Sequence, residues 1–392
     1  MRVTFLLPAG GTRPSGGFKV VYEYANGLAA RGHEVTVIHP AWLPSERNRY
    51  VATLRNRVFG YAVKGALRRW LPDRWFAIDP RVEMLWRPAL EPRFIPDADA
   101  VIATWWRTAE IAAALPDRKG RKYYLVQHFE QWGGPHERVL ATWRLPLTKI
   151  VIARWLEQAV RELRERSHYI PNGLDFRAFG LDTLAAQRPP ASIAMLYHEY
   201  DWKGSHDGLA ALHSAKSSVP SLRAELFGTA PRPRGLPEWI SYHENPAQPE
   251  LRALYNRAAI FLSPSWAEGW PLPPAEALAC GCALICTDIG GHREYAIDGV
   301  TALLSAPRQP GELGRNIVRL ARDAELRSAL SARGHDFIKQ FTWERAIDKL
   351  AAVLTCGESS RVDPEDRADC LQDDNYGRAP SESEVSHVLS RP

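Results

Sequence analysis

Short β-branched or apolar runs alternate with helical patterns from the start of this chain, and the alternation halts once before it restarts. Strands joined through intervening helices build parallel βαβ units, so the pattern predicts an α/β fold. In the first half it places strands at residues 3–7, 34–39, 82–86, 100–104, 122–127 and 149–153. Helices are expected there at 19–30 and 156–166. Tyr169-Ile170-Pro171-Asn172-Gly173 interrupts the pattern with Pro and Asn-Gly, which sets a domain boundary. The second half predicts strands at 192–197, 223–227, 259–262 and 283–286, and helices at 207–215, 249–257 and 274–279. Further helical segments follow Gln309, ending with one at 343–353 behind Thr342 as N-cap. The expected architecture is two doubly wound Rossmann-like domains, 1–171 and 172–341, facing each other across a cleft. Ligands in such folds sit at the carboxyl ends of the strands. A helix at 342–356 is expected to pack back on the first domain.

The chain has 392 residues, 45% of them hydrophobic, which suits two separate cores. No apolar run reaches the length of a membrane span, and the opening Met1-Arg2-Val3-Thr4-Phe5-Leu6-Leu7 reads as a strand, not a signal peptide. Five Cys, an odd number, argue for a reducing compartment, so the cytoplasm is the expected location.

The net charge of +5 hides a segregation. Residues 357–392 hold nine acids and four bases, while the rest holds 46 bases and 36 acids, a net of +10. The tail is rich in Ser, Pro and Asp and is expected to be disordered. Residues 47–74 hold eight bases, one acid (Asp73) and interleaved Tyr50, Phe59, Tyr61 and Trp70, with Trp75 next in line. A basic amphipathic helix of that kind can lie on an anionic membrane surface, as a peripheral protein at its inner face would. Equally, its apolar face can pack on its own domain. None of the nucleic-acid recognition motifs is present.

The stretch richest in chemistry runs from Ser263 through Glu268-Gly269-Trp270-Pro271-Leu272-Pro273-Pro274 to Glu276 and Gly281. A strand ends, a loop carries Glu268, and a helix opens on prolines suited to its first turn. A helix start offers N–H groups and a positive dipole end to phosphate oxygens. Carboxylates cannot help there, but they accept hydrogen bonds from sugar hydroxyls. Two carboxylates flanking such a helix start therefore suit a nucleotide-diphosphate sugar, with phosphate in the middle and hydroxylated rings at both ends.

In these residues the chain resembles the retaining glycosyltransferases of two-Rossmann (GT-B) architecture, the glycosyltransferase family 4-like or group 1 enzymes. Glu268 and Glu276 match their Glu-x7-Glu motif. The likeness extends to Gly290-Gly291-His292-Arg293-Glu294, to Ile170-Pro171-Asn172-Gly173 at the hinge, to Trp202-Lys203-Gly204, and to Gly16-Gly17 before the first helix. It implies that Glu276 binds ribose hydroxyls and Glu268 those of the transferred sugar. Backbone N–H groups around Gly269, Trp270 and Leu272 would hold diphosphate and sugar, and Lys203 would neutralise the leaving diphosphate. Gly16 and Gly17 would let the first domain approach the phosphates, with His128 near the reacting sugar. The resemblance implies a cofactor-free, metal-independent enzyme of the hexosyltransferase kind, acting with retention on a glycan or lipid-linked acceptor, as in polysaccharide biosynthesis.

Two positions depart from the family pattern. Where many relatives carry an Arg six residues before the phosphate Lys, this chain has Tyr197, followed by His198, so help to Lys203 on the phosphate would come from His198 or from another Arg. Pro271 replaces a second Gly in the loop and removes one N–H. Asp97-Ala98-Asp99 imitates a metal-binding DxD but precedes a strand, where acids form an entry turn. Cys280, Cys282 and Cys286 lack zinc spacing and read as core. No GxGxxG motif supports a dinucleotide cofactor. Two alternatives remain: a nucleotide-sugar epimerase of the same architecture, and a catalytically degenerate partner subunit. Base and acceptor contacts are expected in loops at 228–234 and 242–245.

Overall fold

The computed structural model describes residues 1–43 and 61–356. The expected acidic tail and the first part of the basic segment lie outside these residues. The described chain divides into two compact units: Met1–Pro171 together with the helix Trp343–Cys356, and Asn172–Thr342. Both are α/β units built on a parallel sheet, so the α/β, Rossmann-like two-domain class read from the alternation is the one observed.

The first unit carries β1 (Arg2–Leu6), β2 (Glu34–Pro40), β3 (Glu83–Arg87), β4 (Ala100–Ala103), β5 (Arg121–Val126), β6 (Thr148–Val151) and β7 (Ser167–Tyr169). They pair in the order β3-β2-β1-β4-β5-β6-β7, all parallel. Helices cover both faces, so central strands are apolar throughout rather than alternating: Ala100-Val101-Ile102-Ala103 is wholly buried. The helices are α1 (Gly16–Ala30), α2 (Trp106–Ala113), α3 (His136–Thr142), α4 (Arg154–Glu162) and, from the far end of the chain, Trp343–Cys356. The last lies against α1: Arg31 reaches Asp348, and a Cβ on Gly27 would stand 2.1 Å from Ile347 Cδ1.

The second unit carries β8 (Ser192–Leu196), β9 (Arg223–Gly228), β10 (Ile240–Glu244), β11 (Ile260–Ser263), β12 (Ala283–Thr287) and β13 (Ala302–Ser305). Their order is β10-β9-β8-β11-β12-β13, again parallel. The strand order reverses direction at β8 and β11, which creates a crevice outside their carboxyl ends. The helices here are α5 (Ser205–Ser218), α6 (Gln248–Arg257), α7 (Leu272–Ala279), α8 (Gly290–Arg293), α9 (Pro310–Arg322) and α10 (Ala324–Ile338), with α11 the Trp343–Cys356 helix of the first unit.

Several expectations need correction. Strands β7, β10 and β13 and helices α2 and α3 escaped the periodicity reading, because they are short or lie at sheet edges. Residues 242–245, expected as a loop, are largely the end of edge strand β10. Gly16 and Gly17 do not precede α1; they form its first turn behind an extended Ser15.

In the described part of the basic aromatic segment, the aromatic side chains pack on their own unit while the bases stay exposed. Tyr61 and Trp70 stack on Trp86 of β3, with centroids 5.9 and 5.7 Å apart, and Trp75 donates to the Gly11 carbonyl at 2.7 Å. Leu67 remains 55% exposed. Among the described residues no helix is long and apolar enough to cross a membrane.

Candidate functional site

In the second unit the loops leaving β8 and β11 carry Lys203 and Glu268 to the crevice at the reversal of strand order. The Lys203 ammonium donates to both oxygens of Glu268, at 2.8 and 2.8 Å. The pair is largely withdrawn from water, with the side chains 23% and 10% exposed. Screening is weak at such burial, so the attraction is strong and its geometry well defined.

Backbone geometry explains how two separate loops meet there. Gly204 ends a 3-10 turn in the left-handed region, φ +63°, and a Cβ on it would stand 2.0 Å from the Pro264 carbonyl oxygen. Only glycine lets the loops close to this distance. Trp266 N–H then donates to the Trp202 carbonyl at 2.7 Å, and the Trp266 indole to Asp207 at 2.7 Å.

Glu268 is held from behind as well. Ser265 Oγ donates to Glu268 Oε1 at 2.8 Å, while Thr287 Oγ1 donates to the Ser265 carbonyl. Buried His292 faces the Thr287 carbonyl through Nδ1 at 2.8 Å. A carbonyl can only accept, so Nδ1 bears the proton and Nε2 accepts from Ser263 Oγ at 2.8 Å. Burial lowers the His292 pKa to about 4, so the ring is neutral at physiological pH. Gly291 lets α8 approach, since a Cβ there would come within 2.6 Å of the Glu268 carbonyl oxygen. Gly291 and His292 thus buttress the Glu268 loop, a role that their place in the sequence motif does not reveal.

Glu276 lies in α7, where the helix is almost wholly buried, and its Oε2 accepts from the Tyr255 hydroxyl at 3.4 Å. Trp270 buries its ring between Tyr295 and Phe341, so any ligand contact from it comes through the backbone. Pro271, Pro273 and Pro274 lack N–H groups; the backbone N–H groups around this helix start belong to Gly269, Trp270, Leu272 and Ala275. The Pro271 carbonyl is taken by the Tyr295 hydroxyl at 2.7 Å.

His198 is held toward its neutral form. Burial first, and then the Lys203 charge, lower its pKa, which leaves it neutral. Its Nδ1 accepts the Tyr200 N–H at 3.0 Å, and its ring begins a stack through Tyr200 to Trp202, each step 4.4 Å between centroids. A cation that sequence reasoning passed over is Arg308, after β13, whose guanidinium lies 4.4 Å from the Trp266 ring centroid. Its φ of +62°, rare for Arg, has no sequence signal.

The first unit gathers the remaining candidates. Gln127 donates to the Gly17 carbonyl at 3.2 Å, which ties the start of α1 to the end of β5. His128 Nδ1 lies 3.0 Å from the Phe129 carbonyl, with the ring edge-on to Trp155. Two residues on, buried Glu130 accepts the Trp106 N–H at 2.8 Å, at the start of α2. Burial pushes its pKa up to about 8 against that bond and one from Tyr124. The sequence reading assigned Glu130 no role. Asp97 and Asp99 are spent on ion pairs with Lys119 and Arg2, at 2.7 and 3.1 Å. Cys280, Cys282 and Cys286 are buried free thiols, as core residues should be.

The family described as Glycosyl transferases group 1 matches residues 202–337, and Glycosyltransferase Family 4 matches residues 14–177. An uncharacterized glycosyltransferase of Methanocaldococcus jannaschii is 33% identical over 98 residues, which is 25% of this chain and 28% of that protein. The O-antigen chain mannosyltransferase B of Escherichia coli is 33% identical over 106 residues, 27% of either chain. Glycogen synthase of Mycobacterium tuberculosis is 29% identical over 213 residues, 50% of either. The chain thus spans between a quarter and a half of the length of these curated relatives. Among solved structures, Anabaena HepE in complex with UDP and glucose aligns with a TM-score of 0.69 at 15% identity. It covers 91% of this chain and 100% of that one. Sucrose-phosphate synthase from Thermosynechococcus elongatus aligns at 0.68 and 15% identity, over 92% and 99%. At such identities the likeness is one of fold.

Proposed function

Because the chain belongs to the GT-B glycosyltransferase superfamily, we propose that it transfers a sugar from a nucleotide-diphosphate donor to an acceptor hydroxyl. Residues 172–341 would bind the donor and residues 1–171 the acceptor. The observation that carries this reading is the Lys203–Glu268 pair at the strand-order reversal of the second unit, with Glu276 in the helix that follows. A cation there meets a diphosphate leaving group, and carboxylates fit the hydroxyls of transferred sugar and ribose. Gly269, Trp270 and Leu272 offer backbone N–H groups to the same ligand. His198 contributes as a neutral hydrogen-bonding group.

In the first unit Gly16 and Gly17 would face the phosphates with helix-start N–H groups, and His128 the reacting sugar. Retention of configuration follows from same-face attack, in which the leaving phosphate takes the acceptor proton. No general base is then required of Glu268. The acceptor is a glycan or lipid-linked glycan. An anionic membrane surface would meet the turn around Leu67, where an exposed apolar side chain sits among Lys64, Arg68 and Arg69.

Incubating the protein with UDP-, GDP- and dTDP-sugars and a panel of glycan acceptors, with products followed by NMR, tests the reading. Nucleotide release with a new glycosidic bond of the donor's anomeric configuration supports it. Isomerised donor without transfer would identify an epimerase, and no binding of any nucleotide sugar a partner module.

A further inference from the structure

Resting on that reading, we propose that Lys203 and Glu268 act as a mutual placeholder that makes tight binding conditional on an intact nucleotide sugar. The two side chains expected to serve opposite ends of the reacting bond are bonded to each other here, through both carboxylate oxygens at 2.8 Å. Lys203 cannot meet a diphosphate fully without releasing Glu268. Glu268, only 10% exposed, would then lose its cation in a place water hardly reaches.

A nucleoside diphosphate alone supplies the anion for Lys203 and nothing for Glu268. A free sugar supplies hydroxyls for Glu268 and strands Lys203. A nucleotide sugar supplies both, so the cost of opening the pair is offset on both sides at once. Specificity of this kind arises from groups left unpaired by the wrong ligand rather than from added contacts to the right one.

The rest of the site fits such an exchange. Ser265 also donates to Glu268 Oε1, Thr287 holds the Ser265 carbonyl, and His292 holds Ser263 two residues before it. Glu268 therefore stays in place when Lys203 leaves, and its carboxylate can accept from a hydroxyl. Once the sugar has gone to the acceptor, the remaining diphosphate competes with Glu268 for Lys203. That competition favours product departure.

The test is calorimetric titration with UDP, GDP and dTDP and with the matching sugar nucleotides. Glu268→Gln keeps the side chain's shape but removes its charge. It should bind the free diphosphate about tenfold more tightly than the natural protein, while losing affinity for the sugar nucleotide. Removal of a nearby negative charge would by itself favour an anion, so the gain is also measured in the Lys203→Met background. There it should disappear, because the coupling runs through Lys203. Glu268→Ala provides a second variant, and its circular dichroism checks folding. If Glu268→Gln binds the free diphosphate no better than the natural protein, or gains equally with Lys203→Met, the placeholder is wrong although a donor site exists. If the natural protein binds no sugar nucleotide of any base, the functional reading itself fails.

Discussion

At Gly204 the chain turns with φ +63° against the Pro264 carbonyl, a contact that no side chain can share. Gly204→Ala would combine an unfavourable left-handed backbone with a clash, and the loop would withdraw Lys203 from Glu268. The expected result is at least a tenfold loss in donor affinity with a lower melting temperature, read by titration and thermal denaturation. Unchanged affinity would show that the loop contact does not position Lys203. Glu130 yields a pH prediction. Its carboxyl is protonated when folded, up to about pH 8, but ionises near the ordinary carboxylate value when unfolded. Stability from this group is therefore complete below that value and declines as pH rises to about 8. His39 and His292, both held at about 4, act in the opposite sense, with stability lost as pH falls below about 6.5. Glu130→Gln keeps an acceptor for the Trp106 N–H, so its melting temperature should fall several degrees less than the natural protein's between pH 6 and 9. Equal losses would contradict a buried neutral carboxyl. The carboxylate pair and Lys203 were legible because their spacing and neighbours are local in sequence. Glu130 and Arg308 were not, because burial and a strained φ depend on residues far along the chain.

Among the elements, α1 and α11 meet over Gly27, whose missing side chain makes room for Ile347. Gly27→Ala should destabilise the first unit by about 1–3 kcal/mol through overpacking. Ile347→Ala in the same chain should recover part of that loss, because the branches that obstruct the new methyl are removed. Additive losses in the double variant, measured by urea denaturation, would rule out this contact as the cause. The alternation identified the central strands because burial on both faces writes them as unbroken apolar runs. Edge strand β10, Ile240-Ser241-Tyr242-His243-Glu244, is covered less completely and carries polar residues, so it looked like a loop. Strand β7 has three residues and α3 seven, too few to show a period. Gly16 and Gly17 looked like a turn because glycine is a poor helix former; the packing of the later turns, buried from Val20 onward, overrides that preference.

For the whole molecule, the modest net charge is a balance between a body at +10 and a tail at −5. We expect a chain ending at Cys356 to keep its turnover and to bind anionic vesicles more strongly as ionic strength falls. Loss of turnover on truncation would show that the tail takes part in the proposed activity. On the proposed function, the second unit's Lys203, Glu268 and Glu276 form a nucleotide-sugar site. This assignment is tested most directly by measuring sugar-nucleotide affinity in the natural protein, Lys203→Met and Glu276→Ala, with folding verified for each. Both substitutions should weaken binding at least tenfold while the circular dichroism spectrum stays the same. Affinity unchanged in either well-folded variant would contradict it.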